Sequence, residues 1–341
     1  MRLIASLHGR GRWPDAAARL ILRRHLTHRV EHLDRLAGQS GLAYSPSEVS
    51  ASSLAGDFGT PPLILPPTAL ESVLGPSLIE SCCAWSRRAK DLAAAEEEMM
   101  SMQAERAQLD DGLRILDVSP GHGGLARWIR ARWSNSSVTG LAATEEHRQS
   151  LVDVLSANED EGVAIRLGNL TALGAGDQFD RIFAIEALPG DAGLDQTLRD
   201  LAGHLAPGGR MLIQLACHRK VSYRFRPGDG HELWQGTLEP GCLMPATDLL
   251  PQIRSPLPLL HHWELSGEHY ERTARAWLAR LEANRGTIFE QMRVATGVAD
   301  PTPLYRQWRL ALLATAELFG FHVGQEWWLS QYLLGAPGAT T

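Results

Sequence analysis

The stretch LRILDVSPGHGGLA, residues 113–126, decides the fold, because it changes from an apolar strand to a glycine-rich turn and then to a helix. Glycines at such a turn let the backbone approach a nucleotide, and the start of the helix favours negative charge. A P-loop is excluded because no Gly-Lys-Ser/Thr sequence follows. A dinucleotide site would need an acidic residue at the end of the second strand, and the first carboxylate there is Glu145. The turn therefore predicts a nucleotide-like ligand without identifying it.

Further apolar segments follow this turn at regular intervals. They predict strands over Ser137–Leu141, Val163–Leu167, Phe179–Ile185 and Arg210–Ala216, with helices near 144–157 and 193–205. Strands that alternate with helices at this spacing indicate βαβ units and a parallel sheet, so the predicted class is α/β. Helices are predicted again at 268–293 and 303–319, and Trp327–Leu334 is a candidate closing strand.

The pattern also divides the chain into segments. Residues 1–37 predict amphipathic helices, 38–69 a loop rich in Ser, Gly and Pro, and 218–260 an insertion that covers the ligand edge of the sheet. We therefore expect N-terminal helices and a linker (1–70), a Rossmann-like ligand-binding core (71–216) and a lid followed by helices (217–300). A C-terminal helix, a closing strand and a flexible tail would follow (301–341).

The composition narrows the class of protein. The 341 residues carry 33 Lys and Arg against 39 Asp and Glu, a net charge of −6, so a broad nucleic-acid surface is not expected. Four cysteines without a Cys-x-x-Cys pair, and histidines without a His-Glu-x-x-His pattern, predict neither a disulfide framework nor a metal site. No apolar run could span a membrane, and the first apolar stretch is too short for a secretory signal. These features predict a cytoplasmic enzyme.

Several ordered motifs resemble the cyclopropane-fatty-acid synthase family of S-adenosylmethionine (SAM)-dependent enzymes, and within it the coclaurine N-methyltransferase-like branch. The resemblance extends from about residue 64 to residue 334. It rests on segments 80–85, 117–126, 179–186, 205–209, 262–270, 277–284 and 317–327. It implies a class I SAM-dependent methyltransferase fold, with a seven-stranded, mostly parallel sheet, an N-terminal helical extension and an inserted helical lid.

The resemblance also implies positions for the cofactor. Ser81, Gly121 and Gly123 would approach the methionine end of SAM, with Asp117 beneath the turn. Three further residues would lie near the ribose and the adenine: Ala142, His147 and Asn169. Asn169 replaces a family aspartate, and its amide oxygen still accepts a hydrogen bond.

The departures from the family pattern gather on the acceptor side. The turn carries Ser119-Pro120 in place of Gly-Cys, and Glu186 keeps the first glutamate of Glu-x-x-Glu-His while the second glutamate and the histidine are absent. Glu80 replaces a tyrosine, and Thr237 replaces the tyrosine before the lid turn. Glu186 and Glu80 are therefore the candidate catalytic carboxylates, since either could hold an ammonium group or accept its proton.

Aromatic residues would supply the faces that bind a cationic substrate. The candidate substrate-binding residues are Trp85, Thr237, Tyr270 and Trp308. The leading hypothesis is a SAM-dependent transferase that methylates the amine of a small molecule in secondary metabolism, with no nucleic-acid partner and no stable membrane insertion. A homodimer stays open.

Three other hypotheses remain at this point. SAM could be its own substrate, with its α-amine attacking the γ-carbon to release methylthioadenosine and form azetidine-2-carboxylate. The chain could act as a cyclopropane fatty acid synthase on lipid acyl chains. It could also be a non-catalytic SAM-binding partner of another enzyme.

Overall fold

The computed structural model describes residues 15–37, 67–156, 162–186, 188, 194–225, 243–253 and 255–336. The predicted substrate residue Thr237 and the part of the predicted lid over 226–242 lie outside the described residues. The same holds for residues 1–14 and for most of the predicted linker over 38–69.

A seven-stranded sheet forms the centre of the molecule, in the order β3-β2-β1-β4-β5-β9-β8. The first five strands in this order are parallel, whereas β9 runs antiparallel to both β5 and β8. The seven strands are β1 (Arg114–Asp117), β2 (Ser137–Ala142), β3 (Val163–Leu167), β4 (Phe179–Ile185), β5 (Leu205–His218), β8 (Leu259–Leu265) and β9 (Trp327–Gly335). Two short strands, β6 (Tyr223–Arg224) and β7 (Leu243–Met244), form a separate two-stranded sheet. This is the fold of the class I SAM-dependent methyltransferases, so the predicted class and the closing strand are confirmed.

The alternation of segments did not predict β8, the outer strand of the sheet. This strand reads LLHHWEL, and all of its residues except Leu265 are at least partly exposed. An edge strand with little buried surface lacks the apolar run that marks β1, β4 and β5 in the sequence. The strand β5 also begins five residues earlier than predicted, because Leu205 pairs with Phe179 across an irregularity in the ladder.

Helices cover both faces of the sheet. They are α1 (Asp15–Ala37), α2 (Pro67–Leu74), α3 (Leu92–Ala107), α4 (Gly124–Arg132), α5 (Glu145–Ser156), α6 (Leu194–Gly203), α7 (Glu268–Ala283), α8 (Arg285–Thr296) and α9 (Thr302–Phe319). The single helix predicted over 268–293 is wrong: Asn284 has φ −98° and ψ 18°, which ends α7 and begins α8. The helices predicted near 144–157, 193–205 and 303–319 agree with the structure to within about three residues.

The N-terminal helix α1 docks on the main body through an apolar row and ion pairs. Its buried side chains recur at three- and four-residue intervals: Ala18, Leu22, Leu26, Val30 and Leu33. At its two ends, Arg309 binds Asp15 and Arg219 binds Asp34, while Arg23 donates to Glu317 at 2.6 Å. None of the described helices combines the length and apolarity that crossing a bilayer requires.

Helix α3 carries a buried carboxyl group that makes the folding stability depend on pH. Glu96 is fully buried beside Gly75, and its Oε2 accepts from the Ser77 amide at 3.3 Å. Its Oε1 has no hydrogen-bond partner among the described residues. Burial raises the pKa of Glu96 from its ordinary value to about 7.

This shift predicts that Glu96 weakens the fold at alkaline pH. Because the folded pKa is raised, the contribution of Glu96 is fully present below its unfolded pKa and is lost as the pH rises through 7. Glu96→Gln should therefore reduce the loss of unfolding free energy between pH 5 and pH 8 by up to about 3 kcal/mol. Urea unfolding at both pH values measures this. Glu105→Gln, on the exposed side of the same helix, is the control, and an unchanged pH dependence in Glu96→Gln would contradict the prediction.

Candidate active site

A cavity of about 500 Å³ lies where β1, β2 and β4 end, beneath the segment 78–81 and the helix α3. Seven of the residues predicted for the site line it: Glu80, Ser81, Asp117, Gly121, His147, Asn169 and Glu186. In a parallel sheet, side chains that follow different strands meet at this edge, where ligands of open α/β sheets bind. The structure therefore gathers most of the predicted residues into one cavity.

The turn after β1 accommodates both family departures. The Ser119 hydroxyl donates to the Ile185 carbonyl and accepts from the Ile185 amide, each at 3.0 Å, so it ties the end of β1 to the end of β4. The Pro120 carbonyl accepts from the Gly123 amide at 2.7 Å. Gly121 and Gly123 adopt φ values of +52° and +80°, a region that favours glycine. The turn thus keeps a tight geometry without the Gly-Cys pair.

His147 fixes this turn from the first turn of α5. Its Nε2 lies 2.7 Å from the Gly121 carbonyl oxygen. Because a carbonyl only accepts, Nε2 must carry the hydrogen and donate it. His147 lines the predicted adenosine side of the cavity, and at the same time it orients the backbone of the turn.

Of the residues predicted to bind the cofactor, Ala142 and Gly123 lie beside the cavity, whereas Asn169 lines it. Ala142 is fully buried while its neighbour Ala143 lines the wall, and Gly123 begins α4 while Gly124 lines the wall. Asn169 Oδ1 accepts from the Thr171 amide at 2.9 Å, so the side chain also caps a short 3₁₀ turn.

Asp117 is a buried carboxyl group at the end of β1. Its Oδ1 accepts from the Ser119 amide at 3.1 Å. Burial raises the pKa of Asp117 from its ordinary value to about 7, and the bond from Ser119 opposes this rise. The group therefore changes charge near neutral pH at the base of the cavity.

Glu186, which follows β4 directly, is the most constrained carboxyl group in the site. Its backbone φ of +57° is unusual for a residue other than glycine. Such a conformation costs about 1–3 kcal/mol of folding free energy. The bond from its amide to the Gln214 carbonyl, at 2.8 Å, stabilises this conformation. Strained backbone of this kind concentrates at functional sites.

Three donors surround the Glu186 carboxylate. The Cys82 amide and Gln214 Nε2 each donate to Oε1 at 3.1 Å, and the Tyr270 hydroxyl donates to Oε2 at 2.8 Å. Burial raises the pKa of Glu186 to about 7, while these bonds favour the ionised form and limit the rise. A carboxyl group with such a pKa can accept and return a proton near neutral pH.

Glu80 lines the cavity, and its carboxylate contacts the imidazole of His122. The distance from His122 Nε2 to Glu80 Oε1 is 2.9 Å. Glu80 Oε2 lies 3.2 Å from the point where a Cβ on Gly121 would stand, so the pair borders the turn. The sequence carries no signal for this contact, because His122 stands within the glycine motif and its partner is 42 residues away.

The predicted aromatic substrate residues do not line the cavity. Tyr270 reaches the site only through its hydroxyl on Glu186, and Trp85 donates its indole N–H to Thr273 at 2.9 Å. Trp308 is fully buried in the core between the helices. Instead, α3 supplies three cavity residues that the sequence did not suggest: Met99, Met100 and Gln103. Their helix reads as an ordinary helix former, so only its packing against the sheet places them here.

Comparison with known proteins identifies the family. The family model described as mycolic acid cyclopropane synthetase matches residues 69–325, which is most of the chain. The chain belongs to this family. It is therefore an enzyme of the SAM-dependent class, and the predicted resemblance is confirmed.

Individual relatives agree with this assignment. The chain is 27% identical over 268 residues to (S)-coclaurine N-methyltransferase of Thalictrum flavum subsp. glaucum, covering 77% of this chain and 74% of the relative. It is 26% identical over 213 residues to cyclopropane-fatty-acyl-phospholipid synthase of Escherichia coli (strain K12), covering 62% and 53%. A crystal structure of coclaurine N-methyltransferase bound to N-methylheliamine and SAH superposes with a TM-score of 0.78, at 23% identity and 95% coverage of each chain.

The cavity fits a SAM molecule on its own geometry. Two buried carboxyl groups, Asp117 and Glu186, give it negative charge when ionised, which suits a sulfonium cation. The glycine turn offers close backbone approach, since a Cβ on Gly121 would point toward a cavity-lining carboxylate. Gly121, Asp117, His147 and Asn169 are the residues that would hold the cofactor.

Filling the turn should therefore abolish cofactor affinity. Gly121→Val places a branched side chain in the cavity and should weaken binding of S-adenosylhomocysteine by at least about tenfold. Isothermal titration calorimetry measures the change. Gly112→Val is the matched control, because Gly112 also has a positive φ (+78°) but no atom near its Cβ position and no contact with the cavity. Equal loss of affinity in both variants would assign the effect to backbone strain.

Proposed function

We propose that this chain is a cytoplasmic SAM-dependent N-methyltransferase that acts on a small, amine-bearing, cationic molecule. The observation that carries the proposal is Glu186: a buried, strained carboxyl group, ordered by three donors, on the wall of the cavity at the glycine turn. The similarity to N-methyltransferases of alkaloid-producing plants supports an amine as the acceptor.

The remaining cavity wall supports an acceptor with apolar parts. Besides its polar residues, the wall includes the apolar side chains of Leu78, Ile79, Met99, Met100, Leu125, Leu141, Ile185 and Leu188. An ammonium group near Glu186 with a hydrocarbon body against these side chains would satisfy both charge and burial. Flexible methionines adapt to irregular apolar shapes.

Glu186 would perform the proton chemistry that the missing family histidine performs in relatives. When bound, SAM supplies a methyl carbon activated by its sulfonium. An amine attacks in its neutral form, so the acceptor ammonium must first lose a proton, and the Glu186 carboxylate is placed to accept it. Glu186 remains oriented throughout, because the Cys82 amide and Tyr270 hydroxyl hold its two oxygens separately. Expulsion of water by the apolar wall strengthens the attraction between the carboxylate and the cation.

Incubation of the purified chain with SAM and a panel of secondary and tertiary cyclic amines tests the proposal. Mass spectrometry should show S-adenosylhomocysteine together with an amine heavier by one methyl group. Methylthioadenosine formed without any acceptor would instead indicate intramolecular ring closure of SAM. Cofactor binding without turnover of any amine would indicate a non-catalytic role. The homodimer stays a prediction, which sedimentation equilibrium tests.

Replacing the proposed base should reduce turnover far more than stability. Glu186→Gln keeps the shape, and its one oxygen can still accept from the Cys82 amide, but its NH₂ cannot accept from the Tyr270 hydroxyl and the proton acceptor is removed. We expect a loss of kcat of about 10²-fold or more, as is usual for a general base, with a small change in Tm. Glu96→Gln is the matched control, since Glu96 is also a buried glutamate with a raised pKa but does not line the cavity. Equal losses of kcat and Tm in Glu186→Gln would contradict a role in proton transfer.

A further inference from the structure

Polar side chains from β5, β9 and α3 form a continuous row that leads to Glu186. Across the sheet, Ile185 pairs with Gln214, Gln214 with Gln331, and Gln331 with Trp263. Directly paired residues place their side chains on the same face of a sheet. Gln214 and Gln331 are both fully buried, so the amides of this row must find partners within the protein.

Helix α3 covers this face and closes the row at its outer end. Met99, Gln103 and Arg106 stand four and then three positions apart, which places them on one side of the helix. Arg106 donates to Gln331 Oε1 at 2.5 Å, and its guanidinium lies 4.7 Å from the centre of the Trp263 ring. Arg106 is half-buried and does not line the cavity.

The donor-only chemistry of arginine determines the direction of every bond in the row. Because a guanidinium cannot accept, Gln331 must turn its oxygen toward Arg106 and its NH₂ toward Gln214. Gln331 Nε2 then donates to Gln214 Oε1 at 2.6 Å, and Gln214 Nε2 is left to donate to Glu186 Oε1 at 3.1 Å.

Gln103 reinforces the same orientation. Its Nε2 donates to Gln214 Oε1 at 3.1 Å, so two donors occupy the oxygen of Gln214. An inverted Gln214 would present its oxygen to Glu186, and only a protonated carboxyl group could donate to it. The orientation of one amide therefore selects the protonation state of the carboxyl group.

We propose that Arg106 is a positioning residue for Glu186: through Gln331 and Gln214 it directs an N–H donor at the carboxylate and so keeps it ionised in an apolar cavity. The catalytic consequence rests on the proposed function, whereas the effect on ionisation does not. A hydrogen bond to a charged group is strong enough to shift the pKa of that group by about one unit or more.

The other groups that face Glu186 leave this effect measurable. The Cys82 and Cys83 thiols stay neutral, because burial raises the pKa of each well above its ordinary value. The Tyr270 hydroxyl is a neutral donor. Asp117, which lines the same cavity, has its pKa raised by burial to about 7, so its signal must be separated from that of Glu186. Glu105 is the charged neighbour of Arg106 on α3.

Carbon-13 NMR of glutamate carboxyl groups, titrated from pH 4 to 9 without cofactor or acceptor, tests the proposal. Selective glutamate labelling leaves Asp117 invisible, and the spectrum of Glu186→Gln assigns the Glu186 signal. Arg106→Met should raise the titration midpoint of Glu186 by about one pH unit, because the amides lose the donor that orients them. Arg106→Lys, which keeps a donor-only cation, should restore most of the wild-type midpoint.

The control is Arg132→Met. Arg132 also stacks on a tryptophan, with its guanidinium 4.0 Å from the Trp128 ring centre, but it pairs with Glu97 outside the row. This variant should leave the midpoint unchanged. Gln331→Leu interrupts the row at its centre and should raise the midpoint as Arg106→Met does, so it decides the matter if Arg106→Met fails to fold.

A wild-type midpoint in folded Arg106→Met or Gln331→Leu would overturn the proposal, and so would an equal shift in Arg132→Met. Since the titration needs no substrate, a chain that methylates none of the amines tested still answers the question. With an active enzyme, the acidic limb of kcat/KM against pH should move upward with the NMR midpoint in Arg106→Met, while the value at high pH changes little.

Discussion

The site depends on the fact that β1 and β4 lie side by side and end together. The strand order reverses at this point. The strands β2 and β3 lie on one side of β1, whereas β4 and β5 lie on its other side. Ligands of open α/β sheets bind in the crevice that forms where the strand order reverses in this way. Ser119 bonds to both backbone groups of Ile185 across this crevice, so its width is fixed. The cavity, the glycine turn and Glu186 all take their positions from it.

The replaced family residues are compensated locally rather than at a distance. Ser119 provides a side-chain bridge, and the Pro120 carbonyl still closes the turn onto the Gly123 amide. The loss of the second glutamate and the histidine after β4 leaves Glu186 as the carboxyl group on the cavity wall beside Leu188. The cavity wall thus keeps the predicted cofactor residues Gly121 and His147, and α3 adds Met99 and Met100 to it.

Three of the buried carboxyl groups lie in the cavity wall or support the segment above it. Asp117, Glu186 and Glu96 each have a pKa raised to about 7 by burial, so each favours the folded state most when protonated. Burial disfavours the ionised form of these groups, but a bound cation would stabilise that form again. Only Glu96 lies outside the cavity lining, and it supports the segment over the cavity through the Ser77 amide.

The sequence alone determined the strands β1 to β5 and β9, the glycine turn and seven of the residues that line the cavity. Apolar runs mark the buried parallel strands, and residues that follow such strands meet at one edge whatever the details of packing. Contacts between elements distant in the chain carry no local signal. The Glu80–His122 pair, the position of Tyr270 on Glu186 and the row from Arg106 to Gln214 follow from how α3 and α7 pack against the sheet. Trp308 was expected to bind the substrate, but its side chain is fully buried and packs in the core between the helices. Tertiary structure therefore decided which side chains reach the reacting atoms, because that depends on the register between elements and not on their own patterns.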